Sequence, residues 1–146
     1  MDQTIADFLN ARRLAVVGVS RSEQKFGTAI YKELKARGFE VYGVNPSLDT
    51  IAGDPCYHSV GELAGKVDGV VICVQPAKAA ATLREAAAIG IRRIWLQQGS
   101  QSIESKNAAR EAGVTPVEGK CILMYAGEVK SVHAFHRFFA KLLGQY

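Results

Sequence analysis

One segment, residues 14–38, constrains the fold of this chain more than any other. It opens with the unbroken apolar run LAVV, which ends at Gly18. A polar segment of eight residues follows, and Gly27 then begins a stretch with helical spacing that ends at Gly38. A continuous apolar strand is typical of a parallel sheet that is covered on both faces. The segment therefore predicts a strand, a loop and a helix at the centre of an α/β fold.

The loop of this segment carries the chemistry of an anion site. A glycine-bounded loop before a helix points backbone N–H groups at whatever lies there, and such a helix terminus favours phosphate. The same loop supplies hydroxyls and cations from Ser20, Arg21, Ser22 and Lys25. Together these groups could hold a pyrophosphate.

The spacing of the glycines argues against a nicotinamide cofactor. Dinucleotide-binding units use G-x-G-x-x-G, whereas here no glycine follows Gly18 until Gly27. Such units also place an acidic residue after the second strand for the ribose hydroxyls. The second predicted strand, 40–44, ends instead in Asn45 and Pro46. We therefore expect a Rossmann-like nucleotide site and disfavour NAD.

Strands and helices alternate along the rest of the chain. Further strands are predicted at 67–75, 93–96 and 114–117, and helical segments at 4–12, 60–64, 77–89 and 103–112. This alternation with short crossovers implies a five-stranded parallel sheet in the order 3-2-1-4-5, with the strands numbered along the chain. A last amphipathic helix is predicted at 128–143, and its apolar stripe needs either the sheet's own flank or another subunit.

Composition limits the partners and the compartment. The 146 residues fit a single domain, 1–146, and the net charge of +4 comes from scattered cations without aromatic interleaving, so nucleic acid is not an expected partner. No signal-peptide core or apolar run of about 18 residues is present, so we expect no membrane partner. Cys56, Cys73 and Cys121 share no C-x-x-C spacing, which favours a reducing cytoplasm.

Several segments together resemble the small stand-alone CoA-binding proteins, whose domain is similar to the nucleotide-binding domain of the succinyl-CoA synthetase alpha subunit. The matching pieces are VVGVS with the later Gly27, VNP at 44–46, VDGVVICVQPAK at 67–78, WLQQG at 95–99, and Cys121. They cover roughly residues 8–124 in the order and spacing of that family. The predicted terminal helix extends beyond the family's usual end.

The resemblance implies coenzyme A or an acyl-CoA as the ligand and assigns positions around it. The implied diphosphate and adenosine-phosphate loop is Gly18, Ser20, Arg21, Lys25 and Gly27. Val44, Asn45 and Pro46 would border the adenosine, Val74, Gln75 and Pro76 would line the groove past the third predicted strand, and Gln98 and Gly99 would close the far wall. These segments all follow the carboxyl ends of predicted strands, where open α/β sheets place their ligands.

The remaining candidate residues carry weaker signals. Cys121 has no base nearby in the sequence, so a structural thiol is favoured over pairing with the CoA thiol or a redox sensor. His133 and His136 lack a third ligand for a metal, and His58 is expected at the surface. The sequence contains no nucleophile elbow and no Walker lysine motif, so no catalytic residues are assigned.

Three functions remain open. The favoured one is a CoA-binding carrier, sensor or accessory module without catalysis of its own. An NAD(P)-dependent enzyme or redox sensor would use the same loop. A subunit of an acyl-CoA synthetase would borrow catalytic domains from a partner chain, and the terminal helix would then be the docking surface. A homo-oligomer through that helix is also compatible with the sequence.

Overall fold

Seven strands form one sheet in the computed structural model of the chain, which describes residues 2–22 and 25–127. They are β1 Arg13–Val17, β2 Glu40–Val44, β3 Thr50–Ile51, β4 Asp54–Tyr57, β5 Gly69–Ile72, β6 Arg93–Gln97 and β7 Val117–Lys120. The sheet order is β3-β4-β2-β1-β5-β6-β7. All neighbouring pairs are parallel except β3 and β4, which are antiparallel.

Helices cover both faces of this sheet. They are α1 Gln3–Phe8, α2 Phe26–Ala36, α3 Pro76–Ala88 and α4 Ile103–Ala112, with short 3-10 helices at Val60–Leu63 and Ile122–Met124. One apolar cluster joins the sheet to α1, α2 and the second 3-10 helix, and the other joins it to α3, α4 and the first. The prediction of an α/β fold is therefore confirmed, and the observed fold has three layers with a mostly parallel sheet.

The predicted number and order of strands are wrong. The third predicted strand, β5, pairs directly with β1, from Leu14 opposite Gly69 to Val17 opposite Ile72. The five predicted strands therefore lie in the order 2-1-3-4-5. All four residues of β5 are buried, and such a strand is satisfied only in the middle of a sheet, between two neighbours and two helical layers.

The two additional strands form a hairpin outside β2. Ala52 and Gly53 form its turn with φ values of 51° and 84°, the positive values that a tight two-residue hairpin requires. Asp54 ties the hairpin to α2, because its Oδ2 accepts hydrogen bonds from the Tyr31 hydroxyl at 2.7 Å and from Lys35 Nζ at 2.5 Å. The sequence had indicated only a turn-rich connection in this region.

Several predicted boundaries also shift, among them the predicted strand 67–75, which is β5 Gly69–Ile72, and two of the shifts occur at helix caps. The predicted helix 4–12 is α1, which begins after Asp2, whose carboxylate accepts the Thr4 N–H at 2.7 Å. The predicted strand 114–117 begins only at Val117, because the Val114 N–H donates to Ala109 O at 2.9 Å and so completes the end of α4.

No helix within residues 2–22 and 25–127 is long and apolar enough to cross a bilayer. The predicted helix 128–143, with His133 and His136, lies outside the described residues.

Candidate functional site

Two glycines bring the end of β1, the start of α2 and the end of β5 into close contact. Gly18 has a φ of 113°, and a Cβ atom there would lie 1.8 Å from the carbonyl oxygen of Cys73. A Cβ atom on Gly27 would lie 2.3 Å from the carbonyl oxygen of Gly18. No side chain fits at either position. We call this contact the glycine junction.

The glycine junction lies where the direction of the sheet changes. From β1 the chain passes to β2 on one side, and it later returns to β5 on the other side of β1. The Gly18 N–H donates to Val44 O at 3.2 Å, and the Cys73 N–H donates to Val17 O at 2.8 Å. The loops after β1, β2 and β5 thus start together at the topological switch point, where open α/β sheets bind ligands.

Side-chain hydrogen bonds hold the loop after β1. The Ser20 N–H donates to Thr28 Oγ1 at 2.8 Å, and the Thr28 hydroxyl donates to Ser20 O at 3.0 Å. Asn45 Nδ2 donates to Val19 O at 2.7 Å, and Asn45 Oδ1 accepts the Ser47 N–H at 2.7 Å. Asn45, a predicted ligand contact, therefore uses both ends of its amide to join the loops after β1 and β2.

A cavity of about 440 Å³ opens beside this loop, and we call it the α2 cavity. Its walls come from the loop after β1, from α2 and from the segment 47–52. The lining residues are Ser20, Arg21, Thr28, Lys32, Ser47, Leu48, Asp49, Thr50, Ile51 and Ala52. Most of the lining side chains are polar, and three of them are charged. The cations of Arg21 and Lys32 share the cavity wall with the carboxylate of Asp49.

The carboxylate of Asp49 has a partner outside the cavity lining. Its Oδ1 lies 2.9 Å from His58 Nε2, and both side chains are largely exposed. The two groups form an ion pair when the imidazole is protonated. An exposed pair of this kind stabilises the fold by little, so its main effect is on the local charge.

Lys25 lies at the start of α2 rather than in the α2 cavity. It occupies the N-cap position, makes no side-chain capping hydrogen bond and is exposed. The first amides of a helix have no intrahelical acceptor, and the helix dipole attracts anions to them. An anion at this end of α2 would have Arg21 and Lys25 within the same loop.

The other predicted site residues form a second group at the ends of β5 and β6. They are Val74, Gln75, Pro76, Gln98 and Gly99, and none of them lines the α2 cavity. The Val74 N–H donates to Ser100 Oγ at 3.1 Å, which joins the two loops. All but Val74, which is half-buried, are exposed.

Two thiols and an amide lie near the carboxyl edge on the α2 face of the sheet. Burial raises the pKa of the Cys73 thiol to about 12. Burial also raises the pKa of Cys121, and the nearby Gln97 side chain opposes that rise. Gln97 is 1% exposed, its Oε1 accepts the Ile122 N–H at 3.1 Å, and its Nε2 makes no hydrogen bond of normal geometry within the described part of the chain. Thiols in this environment stay protonated at neutral pH.

The sequence prediction missed most of the α2 cavity. Thr28 and Lys32 are four residues apart on a helix, which places them on one face and could have revealed their shared environment. The segment 47–52 gave no such signal, because its place in the wall depends on the hairpin.

Comparison with known proteins identifies related chains. Residues 12–126 match the family model described as CoA binding domain. Over 88 residues the chain is 35% identical to subunit alpha of an ADP-forming acetate–CoA ligase II from Pyrococcus furiosus. That match covers 60% of this chain but only 19% of the relative.

Two further relatives are similar to the chain over most of their own length. An uncharacterized Bacillus subtilis protein, YneT, is 27% identical over 112 residues, which are 77% of this chain and 83% of YneT. A conserved hypothetical protein from Pyrococcus furiosus superposes with a TM-score of 0.73 at 40% identity, and covers 76% of this chain and 96% of its own.

Proposed function

The chain belongs to the CoA binding domain family, and on that premise we propose that it binds coenzyme A or an acyl-CoA at the carboxyl edge of its sheet. The observation that carries the proposal is the α2 cavity, which holds Arg21 and Lys32 and opens beside the glycine junction at the switch point. In this proposal the chain acts as a carrier, sensor or accessory module without catalysis of its own.

The ligand's diphosphate would lie beside the glycine junction, at the start of α2. Gly18 and Gly27 let β1, β5 and α2 pack closely there, the first amides of α2 attract phosphate, and Ser20, Arg21 and Lys25 belong to the same loop. Related sheets also use glycine for the tight turn after the first strand and for close packing of the helix on the strand beside the pyrophosphate.

The two ends of the ligand would extend in opposite directions from the diphosphate. In doubly wound sheets the adenosine ribose lies on the side of the second strand. The adenosine would therefore enter the α2 cavity, whose lining begins at Ser47, directly after the predicted contacts Val44–Pro46. The pantetheine arm would pass the ends of β5 and β6, along Val74–Pro76 and Gln98–Gly99.

A second candidate function is that of a nucleotide-binding subunit in an acyl-CoA synthetase. The observation in its favour is the 35% identity to subunit alpha of the Pyrococcus furiosus ligase. In this role the chain would depend on a partner for the reaction. Purification of the native protein in a stable complex with a second chain would support it, and purification as the lone chain would count against it.

Calorimetric titration with CoA, acetyl-CoA, NAD and NADP tests the main proposal. CoA should bind more tightly than either nicotinamide cofactor. NAD is the competitor to include, because the α2 cavity contains an acid, Asp49, although the acid lies five residues beyond the end of β2. Tighter binding of NAD or NADP would overturn the assignment.

Variants test the diphosphate loop in the same assay. Arg21→Ala and Lys25→Ala should each weaken CoA binding and reduce its dependence on salt, because each removes an exposed cation from the loop. Lys106→Ala is the matched control, since Lys106 is exposed on α4 and does not line the cavity. If both loop variants bind CoA as the control does, the loop does not hold the diphosphate.

A further inference from the structure

The α2 cavity brings opposite charges to one binding surface. Lys32 lies on α2, one turn after Thr28, and its side chain is half-buried. Asp49 lies in the segment between β2 and β3, and its side chain is 91% exposed. A rigid helix therefore supplies the cation and a loop supplies the anion. A ligand group in this cavity would interact with both charges.

The position of the cavity identifies which part of the ligand would meet these charges. The cavity adjoins the loop after β1 through Ser20 and Arg21, and it extends away from β5 toward β3. This is the side of the second strand, where the adenosine ribose lies in doubly wound sheets. Coenzyme A carries a 3′-phosphate on that ribose, whereas dephospho-CoA has a hydroxyl there.

We propose that the α2 cavity determines the preference between these two ligands, with Lys32 attracting the ribose 3′-phosphate and Asp49 opposing it. The inference rests on the proposed function. Arg21 contributes less to the preference, because it lies on the loop next to the diphosphate, which both ligands carry. His58 reduces the opposing charge of Asp49 whenever its imidazole is protonated, since the two side chains are 2.9 Å apart.

The charges predict opposite effects for two variants. Lys32→Gln should lower the ratio of CoA affinity to dephospho-CoA affinity about tenfold, as expected for the loss of a charge-assisted hydrogen bond to phosphate. Asp49→Asn should raise the same ratio about two- to threefold, because an exposed charge contributes less than a half-buried one. A merely structural role for either residue would change both affinities together and leave the ratio as it was.

The experiment is a calorimetric titration of the full chain with CoA and with dephospho-CoA. Lys106→Gln is the control, because it removes the same charge from an exposed position outside the cavity. Ratios that shift in opposite directions for Lys32→Gln and Asp49→Asn would support the inference. If both ligands bind and both variants keep the ratio of Lys106→Gln, the inference is overturned while the proposed function stands. If the unmodified chain binds neither ligand, the proposed function fails as well.

Discussion

Replacement of Gly27 by alanine should destabilise the protein even though alanine is the better helix former. Gly27 is the second residue of α2 and has no positive φ, so the substitution introduces no backbone strain. Its effect comes from the glycine junction, where the new Cβ would lie 2.3 Å from Gly18 O and 2.8 Å from Gly18 C. Both contacts are with backbone atoms, which cannot rotate away.

The size of the effect follows from the movement that the junction needs. An ordinary contact would require α2 and the loop to separate by about 1 Å, and overpacking of this kind costs about 1–3 kcal/mol. The same movement would break the two hydrogen bonds between Ser20 and Thr28, each worth about 1 kcal/mol. The helix propensity of alanine offsets about 1 kcal/mol. We expect a net loss of about 2–4 kcal/mol in the free energy of unfolding.

Urea unfolding of Gly27→Ala and Gly61→Ala measures this effect against a matched control. Gly61 lies in the first 3-10 helix without a positive φ, and a Cβ there would meet only Ser59 Oγ, at 3.7 Å. The control should therefore stay within about 0.5 kcal/mol of the parent. If Gly27→Ala is as stable as Gly61→Ala, the junction is not the tight contact described above, and the reasoning is refuted.

Three further changes test other parts of the structure. The Arg37 guanidinium donates to Leu123 O at 3.0 Å and to Ala126 O at 2.6 Å, both in the segment after β7. Arg37→Ala should therefore lower the free energy of unfolding by about 2–3 kcal/mol in urea titration, and a loss below about 0.5 kcal/mol would contradict this. The hydrogen bond from Lys35 lowers the pKa of Asp54, so the stability contributed by the ionised Asp54 carboxylate is present above about pH 4 and is lost as the pH falls through the lowered pKa. On acidification, the melting temperature of Asp54→Asn should therefore fall by less than that of the parent protein. An equal fall in both proteins would count against the ion pair. Because burial raises the pKa of Cys73 to about 12, iodoacetamide should label it slowly at about pH 8 until urea unfolds the chain, and rapid labelling of the native protein would disprove its protection.

The sequence predicts those parts of the fold that neighbouring residues encode. The apolar run of β1, the flanking Gly18 and the spacing of α2 are all local, and the bounds of α4 were predicted to the residue. Strand order is different, because it depends on which strand needs two covered faces and two neighbours. The apolar run GVVI of β5 already indicated a strand that is buried on both faces, but the predicted order placed this strand at the edge of the sheet.

The site shows the same limit. Ser20 and Arg21 were predicted from the loop and do line the α2 cavity. Asp49 was missed because a two-residue strand such as β3 leaves no periodic pattern in the sequence. The residues before β3 were therefore predicted to be a loop. Asn45 was predicted to border the ligand, and only the folded chain shows that its amide joins two loops. Local patterns identify the chemistry of a loop, whereas the opposing wall depends on distant segments.

The hairpin of β3 and β4 lies at the edge of the sheet, and residues 47–52 at its start form one wall of the α2 cavity. Within the described residues, β4 pairs with β2 through Gly43 with Cys56 and Val44 with Tyr57, Asp54 joins the hairpin to α2, and the side chains of Ile51 and Cys56 are buried in the core. The opposite wall is part of α2, whose inner face packs into the core. Substitution of exposed wall residues such as Asp49 and Thr50 would therefore change the charge of the α2 cavity, while the loop after β1 and the core stay as they are.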